Sequence, residues 1–313
     1  MASLIADSTR GVIPPVITPL RQDGAVDTDG LVRLVGSVVA AGASGVLVLG
    51  STGEGGHLCA GEQEEVVAAA LRAAAGIPVI AAVPALSTRA AESLAVRLEH
   101  AGAHAILSAP TFGFDLSQDE VADHFRRLRA AVSVPLLAYQ VPSRAPTSLA
   151  VDTIALLAHD GVIVGVKDSS GDLDSHRAYA DATADLPGFI RMSGNETDLT
   201  ASADAGFGVF VPGLSNLFAS VHVALVAALS EGDRTRAREL DADLARYARL
   251  YQTPDGRAGR TSRAIGALKE ALRQQGIIAS ATMAAPMLIQ DNMGAHVQSF
   301  LADVSADHLA AAR

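Results

Sequence analysis

Lys167 closes the β-branched run Val162-Ile163-Val164-Gly165-Val166 and is followed by Asp168-Ser169-Ser170-Gly171-Asp172, a break into small polar residues and glycine. It is one of only two lysines; the other is Lys269, and arginine supplies the remaining 22 of the 24 basic residues. In such a composition an ordinary surface charge is an arginine. A lysine offers different chemistry: stripped of water, its amine can give up a proton and attack a carbonyl carbon, which a guanidinium cannot do. A lysine at the C-terminal end of a buried strand is therefore a candidate Schiff-base nucleophile, with a solvent-facing strand end as the alternative reading.

Three other stretches carry usable groups. Gly50-Ser51-Thr52-Gly53-Glu54-Gly55-Gly56 presents backbone N–H groups and the hydroxyls of Ser51 and Thr52, either a nest for a carboxylate or a plain loop. Tyr139-Gln140-Val141-Pro142-Ser143-Arg144 brings a phenol and a guanidinium. Tyr139 could be a core residue with a satisfied hydroxyl, and Arg144 a surface charge. Ser193-Gly194-Asn195-Glu196 adds a further polar turn. Lys269 lies in an amphipathic stretch and reads as a surface charge. His57, His100, His104 and His124 are scattered with no HxH or HExxH spacing; barrel sites can draw ligands from separate strand ends, but with a lysine nucleophile at hand no metal site is expected.

These groups matter only if one scaffold gathers them. Strand-like and helix-like segments alternate: strands at 12–17, 46–49, 78–83, 105–107, 134–138, 162–166, 189–192 and 208–211. Helices fall between them at 27–38, 62–75, 88–100, 118–132, 152–159, 173–183 and 196–205. Runs that are apolar at successive positions, such as Val46-Leu47-Val48-Leu49, suit strands buried on both faces of a parallel sheet. Eight βα units between residues 12 and 230 predict a (β/α)8 barrel, class α/β, whose catalytic groups sit where strands end. A doubly wound sheet would call for a Gly-rich first βα turn, and no GxGxxG follows the first strand. The phrases at Gly42, Gly102 and Gly206 read as helix C-caps feeding strands. We expect residues 1–230 to form the barrel and 231–313 a helical extension packed on it, with helices at 234–250, at 262–275 and from about 284 onward.

Composition narrows the partners. A net charge of −10 and a pI near 5.3 argue against nucleic acid or an anionic membrane surface, and aromatic residues are only 4% of the chain. The single Cys59 excludes an internal disulfide and a cysteine-based zinc site, consistent with a reducing cytoplasm. The opening Met1-Ala2-Ser3-Leu4-Ile5-Ala6-Asp7 lacks the basic and apolar regions of a signal peptide. A soluble cytoplasmic protein is expected.

Gly50-Ser51-Thr52-Gly53-Glu54, Tyr139-x-Val-Pro-Ser-Arg144 and Gly165-Val166-Lys167-Asp168-Ser169-Ser170-Gly171-Asp172 resemble the three signature segments of the dihydrodipicolinate synthase/N-acetylneuraminate lyase family. The likeness runs from Gly11-Val12-Ile13-Pro14-Pro15 to the helical tail. It implies a homotetramer built as a dimer of dimers, and class I chemistry with no metal or other cofactor, in which a lysine forms an imine with pyruvate or another 2-oxo acid that then meets an aldehyde. By position Lys167 would be that lysine and Tyr139 the acid/base. Ser51 and Thr52 would hold the 2-oxo acid carboxylate, Ser51 also linking to Tyr139. Arg144 would hold a carboxylate on the aldehyde, and Gly194 would border the substrate. Two positions depart from the pattern. Phe112, in Pro110-Thr111-Phe112, replaces a tyrosine that crosses to a neighbouring subunit in the synthases, and Gln140 stands where Asn or Asp is usual. Arg144 favours a 4-hydroxy-tetrahydrodipicolinate synthase type of reaction, and Phe112 a 2-keto-3-deoxy-sugar-acid aldolase or dehydratase. A ligand-binding barrel without turnover is the non-enzyme reading.

Overall fold

The computed structural model describes residues 10–253 and 256–311, with side chains through Val304. The expectation about Met1–Asp7 lies outside the described residues. Eight parallel strands form one sheet: β1 (Gly11–Val12), β2 (Val46–Val48), β3 (Val79–Val83), β4 (Ala105–Ser108), β5 (Leu136–Gln140), β6 (Gly165–Asp168), β7 (Ile190–Ser193) and β8 (Val209–Phe210). From β2 to β8 each neighbours the next in sequence, and β8 pairs with β1. The sheet closes between β1 and β2, where Leu47 N–H donates to Pro14 O (2.9 Å) and Val16 N–H to Leu47 O (3.0 Å). The first strand was expected to run to Ile17. Pro14 and Pro15 lack N–H donors, so regular pairing stops at Val12 and the closure relies on these two bonds.

Helices alternate with the strands: α1 (Thr28–Ala40), α2 (Ala60–Ala73), α3 (Thr88–His100), α4 (Gln118–Ala131), α5 (Val151–His159), α6 (Leu173–Ala182), α7 (Leu199–Asp204) and α8 (Ser215–Glu231). Asp27 caps α1 by accepting from Gly30 N–H at 2.9 Å. Ser117 and Glu120 form a capping box on α4. Gly42, Gly102 and Gly206 all take positive φ, +93°, +101° and +88°, as helix C-caps must. Two apolar layers result. Ile13, Leu47, Ile80, Leu107, Leu137, Ile190 and Val209 fill the barrel, and a larger cluster including Val35, Val67, Leu98, Phe125, Leu157 and Val166 packs strands against helices.

The tail comprises α9 (Arg234–Tyr247), α10 (Arg260–Gln274) and α11 (Met293–Ala311), after a turn at Gly232 with φ +78°. Two sequence expectations shift here. A helix was expected from Glu196, but α7 begins only at Leu199. Glu196 instead accepts from Gly213 N–H (2.7 Å) and Leu214 N–H (3.0 Å), and Asp241 of α9 caps Leu199 and Thr200 at 3.0 and 2.8 Å. The last helix was expected from about Ala284 and starts at Met293, because the segment before it crosses the barrel mouth. Among the described residues no helix is long and apolar enough to span a membrane.

Candidate active site

The site is built at the C-terminal end of the strands. Tyr139 and Lys167 were expected just after their strands; both lie within them, paired in register across β5 and β6. Parallel pairing extends the strands past the last apolar residue, because backbone bonds do not depend on side-chain polarity. Side chains alternate along a strand. Lys167 therefore turns inward, while Asp168 turns towards the helices, where Ser170 N–H and Ser175 Oγ–H each donate to its carboxylate at 2.7 Å. Lys167 is 5% exposed, its Nζ 4.6 Å from the centroid of the Tyr139 ring. Val166 belongs to the outer layer, and the residues opposite Lys167 by register are Tyr139 and Met192. Two residues earlier on the same strand, Gly165 carries no side chain because a Cβ there would meet Ile190 O at 2.4 Å and Leu137 Cδ2 at 2.8 Å.

Burial alone would raise the pKa of the Tyr139 phenol. No single group cancels that, but Lys167, hydrogen bonds with the Ser169 and Ser51 side chains and Arg144 farther out together outweigh it, so the phenol sits below its usual value. Ser51 and Tyr139 are thus joined across the mouth. Ser169 was quoted in the Lys167 motif without a role; its place two residues beyond the lysine was the available signal.

A pocket of about 370 Å³ opens above these groups. Ser51, Tyr139, Ser143, Arg144 and Phe112 line it, together with His57 and, from the tail, Thr261 and Met287. Arg144 Nη2 lies 3.5 Å from Thr261 Oγ1, its guanidinium exposed to whatever enters. Phe112 packs with Tyr139 on Ala109, Val141 and Ala145, which makes that wall apolar. Thr52, Lys167 and Gly194 are not on the pocket wall. Lys167 sits beneath Tyr139, Thr52 is half-buried in the loop beside Ser51, and Gly194 is half-buried with its N–H donating to Asp168 O at 2.7 Å. A Cβ on Gly194 would come within 1.9 Å of Ser169 Oγ, so Ser169 leaves no room for a larger residue there.

The supporting residues are mostly those the sequence did not single out. Gln140 Oε1 accepts from Leu149 N–H at 2.9 Å, closing the loop that carries Ser143 and Arg144; the longer amide spans the loop from the end of β5. The loop of Ser51 is tied from three sides: Thr18 Oγ1–H donates to Gly53 O (2.6 Å), Gln63 Nε2–H to Gly55 O (2.9 Å), and Glu54 reaches into the tail. A Cβ on Gly55 would sit 2.0 Å from Leu49 O, so the loop folds this tightly only with glycine. Glu196 lies at the edge of the site. Burial raises its pKa, against the opposing pull of the Gly213 and Leu214 N–H groups and of Lys167.

The Dihydrodipicolinate synthetase family profile matches residues 8–303. The chain belongs to this family. It is 37% identical to 4-hydroxy-tetrahydrodipicolinate synthase of Methanopyrus kandleri over 238 residues, 75% of this chain and 78% of that one. It is 35% identical to an uncharacterized DapA-like lyase of Halobacterium salinarum over 229 residues, 73% and 74% of the two chains. Dihydrodipicolinate synthase of Bacteroides thetaiotaomicron superposes with a TM-score of 0.87 at 29% identity, covering 95% of this chain and 99% of that one. The (β/α)8 architecture and a lyase activity follow from membership.

Proposed function

We propose that Lys167 forms an imine with pyruvate or a close 2-oxo acid, and that the bound substrate then adds to, or is released from, an aldehyde bearing a carboxylate. The nearest activity is that of 4-hydroxy-tetrahydrodipicolinate synthase. The observation that carries this reading is the pairing of a nearly buried lysine with a tyrosine whose phenol is held below its usual pKa. In the forward direction the Lys167 amine attacks the C2 carbonyl and water leaves as the C=N bond forms. The iminium draws electrons from C3, and a C3 proton passes to Tyr139 acting as a phenolate. The enamine carbon bonds to the aldehyde carbon, whose oxygen takes up a proton, and water releases the product and restores the amine. Ser51, Thr52 and Gly194 border the 2-oxo acid, and Arg144 faces the aldehyde carboxylate. The assembly in this reading is a homotetramer in the cytoplasm. Leu86 and Phe114, 70% and 69% exposed beside the β3 and β4 ends, support a covering second copy, and a monomer in analytical ultracentrifugation would remove that part.

Borohydride added with pyruvate should give a covalent adduct on Lys167 by intact mass and peptide mapping. An unchanged mass would sink every imine mechanism and leave the ligand-binding barrel without turnover. Phe112 supports a second reading, a 2-keto-3-deoxy-sugar-acid aldolase or dehydratase, since it removes a hydroxyl the synthases supply. Turnover of pyruvate with aspartate semialdehyde decides for the first; cleavage of a keto-deoxy sugar acid without it decides for the second.

A further inference from the structure

The second lysine does not lie on the surface, as its amphipathic setting suggested. Lys269 of α10 is fully buried, and its ammonium pairs with the carboxylate of Glu54, itself only 2% exposed. Lys269 Nζ–H also donates to Thr282 O at 2.7 Å, and the other Glu54 oxygen accepts from Ala284 N–H at 2.7 Å. One carboxylate thus binds both α10 and the segment that crosses the barrel mouth. Glu54 stands two residues beyond Thr52, in the loop of Ser51, and takes a left-handed backbone with φ +55°. A side chain tolerates that region poorly unless its surroundings hold it there. Leu49, where the loop leaves β2, has φ +61°. The loop is therefore bent at both ends, and its far end is fixed from the tail.

We infer that Lys269 is a positioning residue: through Glu54 it holds the Ser51–Thr52 loop in the conformation that receives the 2-oxo acid carboxylate. The inference rests on the reading of the site given above for its substrate, and on the ion pair alone for its mechanics. It also gives the helical extension a task in the site. α10 and the 282–287 segment contribute Thr261 and Met287 to the pocket wall and, through Lys269, fix the opposite wall.

The test compares the full-length wild type with Lys269→Met and with the neutral pair Glu54→Gln/Lys269→Met, which leaves no buried charge unmatched and keeps an acceptor for Ala284 N–H. Without substrate, hydrogen exchange followed by mass spectrometry should be about tenfold faster or more over residues 50–57 in both variants, with β5 and β6 unchanged, because opening would be local. With pyruvate and borohydride, the concentration for half-maximal adduct should rise about tenfold or more, while the plateau on Lys167 stays at the wild-type level. If Lys269→Met fails to fold, the neutral pair gives the answer. A folded variant with wild-type exchange over 50–57 overturns the inference. So does faster exchange with an unchanged half-saturating concentration, which would make the pair a structural tie only. If the wild type itself traps no pyruvate, the functional reading falls and the exchange data still decide whether Lys269 fixes the loop.

Discussion

The two lysines of this chain share burial and differ in company. Lys269 is enclosed with a carboxylate and a carbonyl oxygen, the acceptors an ammonium needs away from water. Burial pulls its pKa down, and Glu54 opposes that. Lys167 is nearly as buried, yet among the described residues it forms no ion pair and instead faces the ring of Tyr139 beneath an open pocket. A buried amine with matched acceptors is a strut, and removing it strands its partner. A buried amine left without a carboxylate, next to a phenol and a substrate-sized space, is arranged as a reagent.

Exchanging each lysine for methionine should separate the two roles most sharply. Lys167→Met is expected to abolish the borohydride adduct and lower turnover about 10³-fold or more, with little loss in urea denaturation because no buried partner is orphaned. Lys269→Met should do the reverse in stability. The Glu54 carboxylate would be left buried and unpaired, at a cost of about 3–5 kcal/mol. Equal losses of stability in the two variants would dissolve the distinction. Next in size is Tyr139→Phe, which leaves Lys167 its aromatic neighbour but removes the proton carrier. Turnover should fall about 10²- to 10⁴-fold, while the adduct on Lys167 still reaches the wild-type plateau, more slowly. An adduct absent altogether would move Tyr139 from the later proton transfers into imine formation itself.

The barrel was legible in the sequence because it is written in period: apolar runs of strand length, helical spacing between them, glycines at the caps. Lys167, Tyr139, Ser51 and Arg144 were legible because they stand at strand ends, where the fold puts its chemistry. The ties between distant segments were not. Lys269 sits at a helical position whose neighbours in sequence look like those of any amphipathic helix. Only the tertiary packing of α10 against the Glu54 loop, 215 positions away by the numbering of Lys269 and Glu54, turns its charge inward. Glu196 was read as a helix start; its carboxylate instead accepts from the N–H groups of Gly213 and Leu214, which belong to another loop. Asn216, which accepts from Ile17 N–H at 3.0 Å and donates to Pro15 O at 3.0 Å, joins the segment after β1 to the start of α8 in the same long-range way. Such bonds have no period to read.

Histidines extend the comparison to cations that are excluded. His124 is 2% exposed between Thr88 Oγ1 (3.0 Å) and Ser108 Oγ (3.3 Å), and His222 is fully buried with Nδ1 2.8 Å from Phe218 O. Burial pushes each imidazole down to about 4 from 6.5, so both are neutral in the folded protein at pH 7. Below pH 6.5 the unfolded chain takes up protons that the folded one refuses. Their contribution is therefore complete above pH 6.5 and is lost as pH falls to about 4, amounting to about 3 kcal/mol for each histidine. Urea midpoints should fall steadily from pH 6.5 to 4.5, and His222→Gln should flatten that fall. A midpoint independent of pH in this window would mean that the imidazoles titrate normally and that these pockets do admit charge.

Arg144 should give the smallest effect, because its guanidinium is exposed and its polar contact among the described residues, Thr261 at 3.5 Å, is long. An exposed charge meeting a substrate carboxylate works against water and salt. Arg144→Met should raise KM for a carboxylated aldehyde by about tenfold, the ~1.4 kcal/mol expected of a partly screened charged hydrogen bond. The pyruvate concentration for half-maximal adduct should not move, since that substrate reacts at Lys167 beneath Tyr139 and Ser51, away from the guanidinium. The wild-type KM should also rise with added salt, and the variant's should not. If Arg144→Met instead shifts pyruvate and aldehyde together, the guanidinium acts through the shared Tyr139, whose phenol it helps to hold below its usual pKa. The division of the pocket into a lysine end and an arginine end would then give way to a single coupled site.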